Sequence, residues 1–168
     1  MKKYNFQYYV EGDDEKHLIN VLKTDLKMIR PGKVQKLNVI NQKITDAMMR
    51  TYKDGTVVVL IFDTDTDDVD ILNENIAKLN RCNAVSKVVT IPQVLNLEDE
   101  IVRSCNVRSA LELLNSRTLR EFKRDFINIS NLDAKLTEHK FDINLFWNQN
   151  PREPYQHIEN QSVEVKLK

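Results

Sequence analysis

Apolar positions fall along this chain in two kinds of run. The first is short, β-branched and uninterrupted: Val57 to Phe62 is apolar at every position, and Tyr8-Tyr9-Val10 is a shorter version inside Tyr4–Glu11. Such runs read as strands buried on both faces, the kind found in parallel sheets. The second kind recurs at helical spacing. Leu18, Leu22, Leu26 and Ile29 predict a helix from Asp13 to about Ile29, and Asp14 and Glu15 in its first turn suit the positive end of its dipole. Ile40, Ile44, Ala47 and Met48 predict a helix over 40–52. Ile71, Leu72, Ile76 and Leu79 predict another, capped by Asp67 or Asp68. Val34–Val39 and Ala84–Ile91 complete the strands, with Pro31-Gly32, Asp54-Gly55 and Pro92 as punctuation. Strand and helix alternate from residue 4 to 91, which predicts an α/β fold: a parallel sheet with helices on its faces.

After Leu97 the strand signal fades. Ser109-x-x-Glu112 and Thr118-x-x-Glu121 are capping-box patterns and predict helices near 110–116 and 119–128. Phe141, Ile143, Leu145, Phe146 and Trp147 are expected to pack on the sheet, and Pro151–Pro154 to open a polar tail. Val163-x-Val165-x-Leu167 alternates like an edge strand, of the kind made with a partner, and a homodimer is among the expected assemblies. The expected organisation is one domain over 1–168, with an α/β core at 4–105 and a mainly helical extension at 106–168.

Composition narrows the partners only a little. With 25 basic and 25 acidic residues, any nucleic-acid binding must come from a local patch or a bound cation. Cys82 and Cys105 lack metal-site spacing and read as reduced thiols. There is neither a leader-like apolar segment nor a run of about 18 apolar residues. The expectation is a cytoplasmic protein with no membrane contact. No GxxxxGK[ST] phosphate loop is present, so any ATP-driven step would need a separate ATPase subunit.

Both apolar strands end abruptly in carboxylates. The first runs into Glu11-Gly12-Asp13-Asp14-Glu15, the second into Asp63-x-Asp65-x-Asp67-Asp68. Strand ends of this kind lie at the open edge of an α/β sheet, where ligands bind. Hard divalent cations take oxygen ligands, so Glu11, Glu15, Asp63, Asp65 and Asp67 are the candidate ligands for one or two Mg²⁺ or Mn²⁺ ions. Helix capping accounts for Asp13, Asp14 and Asp68 but not for Glu11, which stands between a buried strand and a glycine.

Strand-Glu11-Gly12, followed by strand-Asp63-x-Asp65, resembles the TOPRIM domain of topoisomerases, primases and OLD-type nucleases. The longer Glu11-Gly-x-x-Glu15 is most similar to the OLD-like and RloB-like nuclease branch. The resemblance covers residues 4 to about 105. It implies a Rossmann-like sheet and a metal-dependent nuclease acting on DNA or RNA. Glu11 would be a general acid/base or ligand, Asp63 and Asp65 the ligands, and Gly12 would let the backbone pass close to substrate. Glu98 matches a later acidic position only loosely and reads as a helix-start residue.

Arg117, Arg120, Lys123 and Arg124 form a basic stripe opposite Leu119, Phe122 and Phe126, a candidate phosphate-binding face as well as an ordinary solvated one. Lys140 is a further candidate near the metals. Two other readings compete. Asp63-x-Asp65 suits an aspartyl phosphatase of the haloacid dehalogenase kind. That family, however, expects Thr or Val where this chain has Asp67, wants its motif near the N-terminus, and leaves Glu11-Gly12 unused. The third reading is a non-catalytic TOPRIM-fold module that binds nucleic acid or a partner ATPase.

Overall fold

The computed structural model describes residues 4–167. Its centre is an all-parallel four-stranded sheet: β1 (Asn5–Val10), β2 (Gly32–Lys36), β3 (Thr56–Asp63) and β4 (Val85–Gln93), in the order β2-β1-β3-β4. The expected α/β class and parallel sheet are therefore what the chain builds. β3 is central, and its residues from Thr56 to Phe62 are all buried. Side chains alternate across it. Val57, Val59 and Ile61 face one core with Tyr8, Val10, Val89 and Ile91. Val58, Leu60 and Phe62 face the other with Tyr9. An uninterrupted apolar run is what two covered faces require.

Helix α1 (Asp13–Asn20), α4 (Leu97–Ser104), α5 (Leu119–Asn128) and α6 (Leu132–Glu138) bury Leu18, Ile101, Phe122, Phe126 and Leu136 in the first core. The short α2 (Asp46–Met49) and α3 (Asp70–Asn80) lie on the other side, where Leu72 and Leu79 are buried. From β1 the chain crosses to β2 and then returns to β3 on the far side of β1. That reversal creates a switch point between the carboxyl ends of β1 and β3.

Several elements differ from expectation. The first helix does not run to Ile29. It opens into a wider turn at Val21–Asp25, where Leu26 N–H reaches Val21 O, and Lys27 takes φ 52°. The second strand is Gly32–Lys36, not Val34–Val39. Only Asp46–Met49 of the expected 40–52 helix is helical. Asn75, buried on α3, explains the remainder: it accepts from Ile44 N–H at 2.8 Å and donates to Val39 O and Gln42 O. With those groups satisfied by a side chain, Ile40 and Ile44 are buried from a loop. The expected 110–116 helix is a single tight turn, Ala110–Leu113. The expected 119–128 helix is present, and Thr118 accepts from Glu121 N–H.

The end of the chain is neither a polar tail nor an edge strand. Phe146 and Trp147 are fully buried in the first core, and Tyr155 and Ile158 in the second. Between these cores Gln161 N–H donates to Thr90 O, so this segment lies along the edge strand β4 and satisfies part of it. Ser162–Glu164 is a tight turn, Val165 is fully buried, and Lys166 bridges to Ile29 of the same chain. The alternation at 163–167 therefore forms a tight turn and one isolated bridge rather than a strand. Among the described residues, no helix is long and apolar enough to cross a membrane.

Candidate metal centre

Three carboxylates from two stretches of the chain meet at the switch point. Glu11 follows β1, Glu15 lies in the first turn of α1, and Asp63 closes β3. One oxygen of each lies within 4.8 Å of the others. Glu15 is buried and Asp63 partly so, while Glu11 is open to solvent. The set offers oxygen donors only, which suits Mg²⁺ or Mn²⁺ rather than a softer ion.

Local chemistry holds each group. Glu15 turns back so that its carboxylate accepts from Gly12 N–H at 3.0 Å, half of a capping box. Asp14 Oδ1 accepts from Glu15 N–H at 3.1 Å. Asp63 accepts from the Gln93 amide at 2.7 Å. Thr64, between the two aspartates, donates its N–H to Gln93 O and Leu95 O, and this extends the β3–β4 contact one residue beyond Asp63.

Crowding shows in the acidities. Burial, then Glu11's charge, pushes the Asp63 carboxyl up to about 8, and the Gln93 hydrogen bond only partly opposes this. Burial, then the neighbouring Asp14, pushes Glu15 up to about 10. Glu11 is raised as well, by burial and by the charges of Asp65 and Asp14, although a hydrogen bond with Asp63 and the charge of Lys123 work the other way. Without a cation the cluster retains protons that isolated carboxyls would lose.

The other candidates fall in different places. Asp65 is outside the close trio but near enough to raise both Glu11 and Asp63. It lines a cavity of about 200 Å³ with Glu11, Asp63, Asn38, Asn41, Thr66 and Asp68. Asp67 is exposed and belongs to neither the trio nor that cavity wall. Asp68 accepts from Asp70 N–H at the start of α3.

Gly12 is extended at φ −138°, so its backbone requires no glycine. What requires one is space: a Cβ there would lie 2.9 Å from Asp14 Oδ1 and 3.2 Å from Glu15 Oε2. Both are ends of flexible side chains. Gly12→Ala is therefore expected to fold with a melting point within a few degrees of the parent while displacing Glu15. Mn²⁺ affinity should then fall by about tenfold. Paramagnetic resonance of free Mn²⁺ measures this, and an unchanged affinity would mean that Glu15 is not a ligand.

The basic stripe divides. Lys123 turns toward the cluster, with Nζ 3.3 Å from Glu98 Oε1. Burial works against its charge, but Glu98, Asp14 and Glu15 more than offset this and hold its pKa above the ordinary lysine value. Arg124 pairs with Asp125 at 3.0 Å, and Arg117 and Arg120 are exposed. Lys140 follows α6, where Asn106 N–H donates to His139 O beyond the C-terminal end of α4. Lys140 is exposed and does not line the cavity beside the trio. Nothing in the residue pattern signals Gln93, and Lys123 stands out there only as a member of the stripe.

Comparison with protein-family models, curated proteins and solved structures finds no match for this chain.

Proposed function

We propose that this chain is a metal-dependent phosphodiesterase that cuts DNA or RNA, using Mg²⁺ or Mn²⁺ held by Glu11, Glu15 and Asp63 with Asp65 beside them. The observation that carries the reading is the meeting of Glu11 and Glu15, from one turn of chain, with Asp63 from a distant strand at the sheet's switch point, one oxygen of each within 4.8 Å of the others. The proposal includes a TOPRIM-like nuclease relationship, which rests on Glu11-Gly12-x-x-Glu15 and Asp63-x-Asp65 at the ends of adjacent parallel strands.

A bound cation would supply positive charge to a scissile phosphate and acidify a nearby water. The chain's own groups do the remainder. Glu15, buried and anchored to Gly12 N–H, holds one side of the site still. Glu11, open to solvent, is placed to take a proton from an attacking water or return one to a leaving oxygen. Lys123 offers an ammonium to the phosphate, and the cavity beside Asn38 and Asn41 leaves room for the flanking sugar. Asp63 is crowded by two carboxylates and occupied by Gln93, an arrangement that suits a cation ligand better than an aspartyl nucleophile.

The test is cleavage of labelled single- and double-stranded DNA and RNA in Mn²⁺, Mg²⁺ and chelator. Activity that needs the cation and falls at least about a hundredfold in Glu11→Gln supports the reading. Cation binding without cleavage of any substrate would favour a non-catalytic binding module.

A further inference from the structure

We propose that Gln93, aimed by the indole of Trp147, is the positioning residue that sets Asp63 for a cation. The segment after Phe141 is then part of the metal site. This rests on the reading of Glu11, Glu15 and Asp63 as cation ligands. Trp147 Nε1–H donates to Gln93 Oε1 at 3.2 Å, and Gln93 Nε2–H donates to Asp63 Oδ1 at 2.7 Å. Both intermediaries are sealed from water, Trp147 at 0% and Gln93 at 1% exposure.

The direction of this chain of bonds follows from the chemistry of its members. An indole N–H can only donate, so it must meet the oxygen end of the amide. The NH₂ end is thereby turned to Asp63, where it makes a charge-assisted bond to one carboxylate oxygen. Reversing the amide would set its NH₂ against the indole N–H and its oxygen against a carboxylate, two repulsions at once. With Oδ1 engaged, the Asp63 carboxylate cannot rotate freely, and its remaining lone pairs keep one direction. Second-sphere partners fix metal-binding carboxylates in this way.

Trp147 is held firmly enough to serve. Its backbone sits at φ 55°, a conformation that bulky L-residues rarely adopt. Its N–H donates to buried Glu100 at 2.9 Å, and its carbonyl accepts from Asn160 and Ser162 at 2.8 Å each. The same segment braces the acidic loop from the other face, where Tyr155 and Thr66 share a hydroxyl hydrogen bond of 2.9 Å.

A double-mutant cycle on Mn²⁺ affinity tests the relay, read by paramagnetic resonance of free Mn²⁺ on the full-length protein. Gln93→Leu should weaken binding about 10- to 100-fold. Trp147→Phe, which keeps an aromatic ring but loses the pyrrole portion with its N–H, should weaken it several-fold. The double variant should be no weaker than Gln93→Leu alone, because both act along one path. Trp147 is the only tryptophan, so its emission should also change when Mg²⁺ is added to the parent, and that change should vanish in Gln93→Leu. Should the leucine variant fail to fold, Gln93→Met, of similar length, takes its place. Mn²⁺ binding that survives the Gln93 change, or effects of the two substitutions that simply add, would overturn the relay while leaving the metal site intact. A parent protein that binds no Mn²⁺ at millimolar concentration would overturn the metal reading, and the relay with it.

Discussion

Replacing Asp63 with asparagine is expected to raise the melting temperature of the cation-free protein and to remove most of the stabilisation that Mn²⁺ confers. Asp63, Glu11 and Glu15 are crowded into one cluster, and the Asp63 carboxyl is pushed up to about 8 by burial and by Glu11's charge. A carboxyl whose folded pKa lies above its ordinary value adds stability that is complete only below that ordinary value. The contribution is lost as pH rises through the folded pKa. In chelator the parent should therefore lose stability progressively from about pH 4 to about pH 8 through Asp63, and on to about pH 10 through Glu15, levelling off above that. Asparagine carries no charge to suppress and keeps an oxygen for Gln93, so its advantage should grow over the same interval.

Mn²⁺ acts in the opposite direction, since a ligand that binds only the folded state stabilises it by about 2.7 kcal/mol at a hundredfold excess over Kd. For a chain of this size that is a shift of roughly 5–10 °C, and it should increase with pH as the ligands deprotonate more readily. Thermal melts of both proteins at pH 6, 7.5 and 9, in chelator and in millimolar Mn²⁺, measure all of this. A variant that melts lower in chelator yet keeps the full Mn²⁺ shift would make Asp63 a structural residue.

Glu100→Ala is expected to be the most destabilising of these substitutions, lowering stability by about 3–5 kcal/mol. Glu100 is fully buried on α4 and accepts from Val94 N–H at 3.0 Å, Trp147 N–H at 2.9 Å and Arg103 Nη2 at 2.8 Å. Arg103 also donates to Val94 O. Alanine would strand the two backbone donors in a dry interior and leave Arg103, whose side chain is 29% exposed, with Val94 O and solvent in place of its carboxylate. The melting temperature should fall by roughly 10 °C or more in chelator. Glu100→Gln should recover only part of this, because its NH₂ would face groups that are themselves donors. The near-ultraviolet dichroism of Trp147 should collapse along with stability. A loss below about 1 kcal/mol would show that water reaches this site and takes over the hydrogen bonds.

The sequence by itself determined the sheet and the neighbourhood of the cluster. Val57–Phe62 has to be a strand covered on both sides, because no helix or surface element buries six consecutive side chains. The helices over 70–80 and 119–128 follow from apolar spacing and, in the second, from Thr118 as a cap. Glu11 and Asp63 were legible because each interrupts an apolar strand at its carboxyl end. These signals are local, carried by period, run length and the residue at the break.

Which carboxylates meet was decided by tertiary structure. Beyond the last paired residues of β1 and β3, the direction of a side chain is set by what surrounds it rather than by the pleat. Asp63 turns toward Gln93, Glu15 is drawn in by Gly12 N–H, Asp65 stays at the rim and Asp67 faces solvent. The loop over 38–45 looked helical because Ile40 and Ile44 have helical spacing, yet a single side chain more than thirty residues later, Asn75, supplies the hydrogen bonds that a helix would have made internally. Gln93 and Trp147, fifty-four positions apart, meet through one donor and one acceptor. Pairings of that kind leave no periodic trace, since they depend on the packed distance between segments and not on their separation along the chain.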